Sequence, residues 1–273
     1  MRARLKSILQ EFQQPLEQQE PSQGALFFEH SKLTRHRRTE VGERLAQLQA
    51  GGLVKRLADS YKSYPALPQV ALPKASLSLE RSLQEVIVGR RSTRRFDPER
   101  PVSQQALANI LQLSYGITGK HELSPGITQY LRTVPSAGGL YPLELYLMIQ
   151  RVEGLAPGLY HYRVAHHALE QLESGDQIAH LQRSEEEWGM SAQAAFNLVI
   201  AAVFNRTTVK YRDRGYRFAL LEAGEVSAHA TLIGECQNIH SCLMGGFVDD
   251  EMNQLFGLDG ISEAVVIPVS FGM

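Results

Sequence analysis

FNLVIAAVFN, residues 196–205, is an almost unbroken apolar run. A strand with one wet face alternates apolar and polar side chains, so a strand this uniform must be covered on both faces. The chain therefore needs a sheet in the middle of the molecule, with a layer on either side. RFALLEAGEVSAHATLIGECQNIHSC (217–242) supplies one layer. It lacks proline and is rich in alanine and leucine, which predicts a long, central, buried helix. With 273 residues and 43% hydrophobic content, the chain has enough apolar mass for such a core.

Other elements follow from periodicity. LELYLMIQRV (143–152) alternates Leu143, Leu145, Leu147 and Ile149, predicting a strand with one buried face. GLYHYRVAHHALEQL (158–172) reads as a hairpin and SEAVVIPVSFG (262–272) as a last strand. LERSLQEVIVGRRS predicts a helix with Leu83, Val86 and Ile87 on one face. After FDPERP, Val102, Ala106, Ile110 and Leu113 recur at helical spacing behind Ser103, a candidate cap. Gly245 and Gly246 read as the C-cap of the long helix, with a short helix after them. Strands and helices mix without regular βαβ alternation, so the fold class is α+β.

The N-terminal part is different. Residues 1–20 predict a short amphipathic helix, and a helical pattern recurs near 41–60. TRHRR (34–38) reads as a solvated basic face. Pro65, Pro68 and Pro73 fix an extended arm between them. The chain divides into a helical segment and proline-rich arm, 1–78, and a globular domain, 79–273.

A net charge of −1 argues against nucleic acid as a partner. No apolar run approaches the ~20 residues of a membrane span, and the N-terminus lacks the pattern of a secretory signal. Cys236 and Cys242 form no disulfide framework or zinc motif. These features predict a soluble, reduced, cytoplasmic protein. No metal is expected: His161, His166 and His167 lie near the hairpin, His229 and His240 on the long helix, without a ligating spacing.

Three stretches can carry chemistry. GRRSTRRFD (89–97) sets Arg90, Arg91, Arg94 and Arg95 around Ser92, the guanidinium-and-hydroxyl set that a phosphate dianion requires. An exposed basic turn fits the same residues equally well. PSAGGLYP (135–142) puts Gly138 and Gly139 before a strand, where paired glycines permit close backbone approach to a planar ligand or serve a plain turn. Neither a Walker ending nor a GxGxxG is present. TVKYRDRGYR (208–217) concentrates Lys210, Arg212, Arg214 and Arg217 with Tyr211 and Tyr216.

Together, RRSTRRF, LSYGITG, RTVPSAGGLYPLELYL, PGLYHYRVAHHALEQL, KYRDRGYRFALLEAG and GGF resemble the nitroreductase-like flavoproteins. Within them they resemble the SagB-type dehydrogenases, or azoline (thiazole/oxazole) oxidases. The resemblance covers residues 79–272. It implies a nitroreductase-like fold with a mixed or antiparallel central sheet flanked by helices. It also implies an FMN cofactor and a homodimer with flavin at the subunit interface. Arg90, Arg91, Ser92 and Arg94 would then hold the FMN phosphate and ribityl chain. Pro135, Ser136, Ala137, Gly138 and Gly139 would pack on the flavin, and Gly245 and Gly246 would contact its ring.

In the azoline oxidases a Lys-Tyr pair in this segment is implicated in catalysis; here that pair is Lys210 and Tyr211. Because neighbours in a strand face opposite ways, both reach one substrate only from a loop or irregular turn. Arg212 and Arg214 would favour the neutral amine that a base requires. The sequence departs from the family's LLEAGHxxQN: Glu225, Ala228 and His229 replace three polar residues. It also ends at PVSFGM without C-terminal basic residues and has no large peptide-binding domain. The expected activity is FMN-dependent oxidation of azolines to azoles on a peptide or peptide-like substrate, with O2 as acceptor and biosynthetic partner proteins. The alternatives are an NAD(P)H-dependent reductase of a small molecule and a non-catalytic subunit of a biosynthetic complex.

Overall fold

The computed structural model describes residues 22–50, 61–76, 81–184 and 189–273. The helix expected over 1–20 and the second half of the helical pattern near 41–60 lie outside them.

The centre is a seven-stranded antiparallel sheet in the order β1-β6-β5-β4-β7-β9-β8. Its strands are β1 (Gln69–Ala71), β4 (Leu143–Ile149), β5 (Gly158–Arg163), β6 (Ala168–Ser174), β7 (Phe196–Val203), β8 (His240–Leu243) and β9 (Glu263–Gly272). A separate hairpin pairs β2 (Ile117–Ser124) with β3 (Ile127–Arg132). The helix-flanked antiparallel sheet is the α+β arrangement that the sequence motifs imply.

β7 is buried over nearly its whole length, as its composition requires. On one side of the sheet lie α4 (Gln104–Tyr115) and α8 (Arg214–Cys236), packed on Leu143, Leu145, Leu147, Leu198 and Ile200. On the other, α9 (Asp249–Leu255) and α5 (Ile178–Ser184) cover Tyr146, Met148, Val199 and Ala201. The remaining helices are α1 (Gln23–His30), α2 (Arg35–Ala50), α3 (Leu83–Gly89), α6 (Met190–Gln193) and α7 (Asn205–Tyr211).

Five sequence expectations are corrected. β4 is buried on both faces, not one. It lies between β5 and β7, and its intervening positions include Glu144, which pairs with the Arg206 guanidinium and hydrogen-bonds to the His161 ring. Burial alone would raise the Glu144 carboxyl, but the Arg206 charge and the hydrogen bond to the His161 ring hold it at about 2.

The long helix ends at Cys236 instead of reaching 242. The Ile239 amide returns to the Gly234 carbonyl, Asn238 takes a φ of 58°, and the chain leaves as β8. His240 is therefore on a strand and does not share a helix face with His229. For the same reason Gly245 and Gly246 follow a strand and do not cap the helix, although the short helix after them is present as α9. In α3, begun by a Ser82–Glu85 capping box, Val86 is buried, whereas Leu83 and Ile87 are 66% and 55% exposed.

The proline-rich arm is extended, as expected. It adds β1 to the sheet edge and buries Leu72. TRHRR begins α2, with the Thr34 hydroxyl accepting the Arg37 amide at 3.3 Å.

Candidate functional site

The turn between β3 and β4 organises one half of the site. Ser136 accepts the Gly139 amide through its carbonyl at 2.9 Å and the Tyr141 amide through its hydroxyl at 2.9 Å. Gly138 and Gly139 take φ values of 66° and 64°, which disfavour any residue with a Cβ. Tyr141 is also left-handed, at φ 44°, a conformation that non-glycine residues hold only where the surroundings enforce it. Pro135 is exposed at the mouth of the turn, and Ser136 and Ala137 are half-buried.

Lys210 and Tyr211 close on this turn. They lie in the last turn of α7, neither in a strand nor in a loop. Both tips nevertheless meet at one point: a Cβ added to Gly138 would lie 2.6 Å from Lys210 Nζ and 2.6 Å from the Tyr211 hydroxyl. α7 is short and α8 starts at once, with Gly215 against the Thr207–Thr208 backbone, where no side chain would fit. Tyr211 stacks edge-on against Phe218 of α8 at 5.0 Å.

The other cations of the segment have different work. Arg214 donates to the Ser31 carbonyl at 3.2 Å, and Arg217 donates to the Phe28 carbonyl at 3.0 Å and lies over the Phe28 ring. They pin α1 to α8, and Arg212 is exposed. The basic cluster thus splits into a lysine facing the turn, two arginines that anchor α1, and an exposed Arg212.

The second half lies at the other end of α8. Ser92 bridges Ser241 of β8, and the Thr93 amide donates to the Ser241 carbonyl at 3.0 Å, so the Arg-rich stretch runs alongside β8. This brings Arg94 into a cleft of about 160 Å³ with Gly245, Gly246, Cys242 and Met244. Arg90 is half-buried, and Arg91 folds back onto the Val88 and Arg90 carbonyls. Guanidinium groups and a hydroxyl on an extended chain suit a phosphate, and the exposed glycine pair leaves room for a flat ring.

The structure does not bring the two halves together within one chain. Arg81, just before α3, pairs with Glu235 near the C-terminal end of α8, while Tyr211 packs on Phe218 near its N-terminal end. The intervening helix is about 26 Å long.

Sequence reasoning missed Arg132, Tyr115 and Glu222. All three are buried behind the Ser136–Gly139 turn. Glu222 stands in the LLEAG stretch, one helical turn after Phe218, and a carboxylate on the apolar face of a predicted buried helix was the available signal. Burial pushes its carboxyl up, against the Ser136 and Tyr115 hydroxyls and the Arg132 charge, to about 7. Among the described residues no cluster of three or more His, Cys, Asp or Glu side chains could hold a metal, and no helix is long and apolar enough to cross a membrane.

An antiparallel sheet between helical layers, a paired-glycine turn and an arginine-rich stretch beside β8 define a nitroreductase-like flavoprotein scaffold. The chain belongs to the Nitroreductase family, whose profile matches residues 87–273. It is 31% identical over 177 residues to MJ1384 of Methanocaldococcus jannaschii, which carries a nitroreductase name, covering 64% of this chain and 84% of that one. It is 30% identical over 154 residues to the microcin B17-processing protein McbC of Escherichia coli, covering 55% of this chain and 57% of McbC. The E. coli microcin synthetase McbBCD complex, solved with truncated pro-MccB17 bound, contains a chain that superposes with a TM-score of 0.56 at 24% identity. That superposition covers 89% of this chain and 98% of the other. A nitroreductase-fold protein from Exiguobacterium sibiricum, solved with FMN, superposes with a TM-score of 0.50 at 14% identity, over 72% of this chain and 90% of that one.

Proposed function

We propose that the protein is an FMN-dependent oxidase that converts thiazoline or oxazoline rings to azoles on a peptide or peptide-like substrate. The observation that carries this is the convergence of Lys210 Nζ and the Tyr211 hydroxyl over Gly138. A base and a proton donor at one point suit a reaction that must strip a C–H proton. The relationship to a microcin-processing protein supports the substrate class.

Arg90, Arg91, Ser92 and Arg94 would hold the phosphate and ribityl chain, and Pro135–Gly139 with Gly245 and Gly246 would line the ring. Bound FMN supplies a two-electron hydride acceptor, reoxidised by O2. The chain's own part is acid–base work. Lys210, acting as base, takes the proton from one ring carbon, while the second hydrogen leaves with the electron pair from its neighbour. Tyr211 holds the azoline nitrogen through its hydroxyl, and Gly138 leaves the space that both side chains need.

The separation of the two halves supports a homodimer. One flavin cannot touch both ends of α8, but a second copy placed antiparallel along α8 would set its Lys210 end beside the first copy's arginine end. The surfaces such a copy would cover are apolar: Leu220 and Leu221 of α8 are 48% and 58% exposed, and Leu83, Ile87 and Val88 project outward from α3. Glu225 and Ala228, two of the departures from the family pattern, lie on the same outward side of α8. They would face the partner and tune the substrate pocket there. By analogy with the multiprotein synthetase that contains its structural relative, other subunits would present the peptide.

Incubating the FMN-loaded protein with azoline-containing peptides under air should remove the mass of two hydrogens per ring, read by mass spectrometry. Rapid anaerobic flavin reduction by NAD(P)H, with no mass loss from any azoline, would instead favour the small-molecule reductase suggested by the relationship to MJ1384.

A further inference from the structure

Two opposite groups are buried behind the Ser136–Gly139 turn with atoms left unpaired. Glu222 is 3% exposed and Arg132 is 7% exposed. The Tyr115 hydroxyl donates to Glu222 Oε1 at 2.7 Å, while Glu222 Oε2 has no hydrogen-bond partner. Arg132 lays its guanidinium 4.2 Å from the Tyr115 ring centre and 4.9 Å from that of Tyr141, and its Nε and Nη1 are also without partners. Orphaned buried donors and acceptors are costly, and a carboxylate beside a guanidinium that shares its tyrosine neighbour would close on it. A neutral carboxyl has far less to gain, so the open arrangement is the one expected of protonated Glu222.

Both groups are tied to the turn. The Arg132 amide donates to the Tyr141 hydroxyl at 3.0 Å, and the Tyr141 amide donates to the Ser136 hydroxyl at 2.9 Å. On the far side, Gln129 Nε2 donates to the Gly139 carbonyl at 2.6 Å. The groups that act on Glu222 are Tyr115 from α4, Arg132 from β3, Ser136 from the turn, and Glu225 farther along α8. The Ser136 hydroxyl lies near enough to favour ionisation of Glu222 but makes no well-aligned hydrogen bond with it.

We propose that Glu222 is a positioning residue for the Lys210–Tyr211 pair. Anchored on Tyr115, it leaves Arg132 stacked on Tyr141 while it carries a proton, which preserves the turn over which the pair converges. When it ionises it draws Arg132 away and loosens that turn. The proton goes to solvent and no bond to substrate is involved. The sign follows from burial: the folded-state carboxyl titrates at about 7 against a reference of 4.5. The stability it contributes is therefore fully present below the reference value and is lost as pH rises through the folded one. The turn should accordingly be tight on the acid side of neutrality and looser above it. This adds a regulation to the site proposed above.

The test is competitive acetylation of Lys210 with acetic anhydride, read by mass spectrometry across neutral pH. It uses the exposed Lys120 of β2 as internal reference and the full-length protein without flavin or substrate, so an inactive azoline assay would leave the inference standing. The wild-type Lys210/Lys120 ratio should change about fivefold, the low end of couplings between linked sites, in a step centred near the Glu222 titration. Glu222→Gln, which keeps the volume and the acceptor for Tyr115, should show no step. Should that variant fail to fold, Tyr115→Phe removes the anchoring hydroxyl, and the midpoint must move. A wild-type ratio without a step, or a step unchanged in either variant that folds, overturns the inference.

Discussion

Replacing Lys210 by alanine should lower azoline turnover by about 10²–10⁴-fold, the range a positioned general base contributes, while flavin content and dimerisation stay as in the wild type. The separation of effects is the point. Lys210 lies at the C-terminal end of α7, its tip at Gly138, and the arginines assigned to phosphate lie at the opposite end of α8. Loss of the amine therefore removes no contact to the phosphate cluster of its own chain, and in the proposed dimer the lysine faces the reacting ring, not the phosphate. Lys210→Arg should not restore turnover, because a guanidinium stays protonated at any working pH. Tyr211→Phe should cost less, since the ring that packs on Phe218 remains and only the hydroxyl goes. Steady-state kinetics beside flavin absorbance decide it. A Lys210→Ala enzyme with near-normal turnover removes the base, and one that has lost its flavin makes the lysine a cofactor ligand.

Gly138→Ala should have an effect of similar kind by a different route. The added methyl would stand 2.6 Å from Lys210 Nζ and the Tyr211 hydroxyl, on a residue whose φ is 66°. The side chains are flexible and can yield, but they yield by leaving the position where they converge, and a misplacement of about 1 Å can cost about 10²-fold in rate. The left-handed backbone adds about 1–2 kcal/mol of strain. Turnover should fall by about that factor with a modest drop in melting temperature. Unchanged turnover would mean that the convergence over Gly138 has no catalytic meaning.

The legibility of this molecule in its sequence is uneven for identifiable reasons. The double-sided burial of FNLVIAAVFN and the β5–β6 hairpin were readable, because apolar uniformity and period-two alternation are local properties. β4 was misjudged as one-sided. Glu144 looks like a solvent position until Arg206 and His161, distant in sequence, arrive to pair with it. The end of the long helix was misplaced because nothing in ECQNIHSC breaks a helix by composition. The turn rests on Asn238 accepting a positive φ and on β8 pairing with β9.

Among the candidate site residues, motif order located both halves but not their separation, which depends on which end of α8 each reaches. Lys210 and Tyr211 were expected to need an irregular turn to act together. A helix end serves as well, because the two tips converge although their backbones do not. Of the buried Arg132–Glu222 cluster only the carboxylate left a signal: Arg132 closes a hairpin, β2–β3, that periodicity does not reveal, and it meets α8 only in the folded chain.

In the proposed homodimer each site is built from two copies of the chain. Co-folding Arg94→Ala with Lys210→Ala tests it most directly. Each variant alone should be inactive, one deficient in flavin and the other in the base. In a mixed dimer one site receives Arg94 from one chain and Lys210 from the other and is intact, so random pairing should restore about a quarter of wild-type turnover. Mixed dimers that form in the expected proportion yet recover no activity would contradict a shared site.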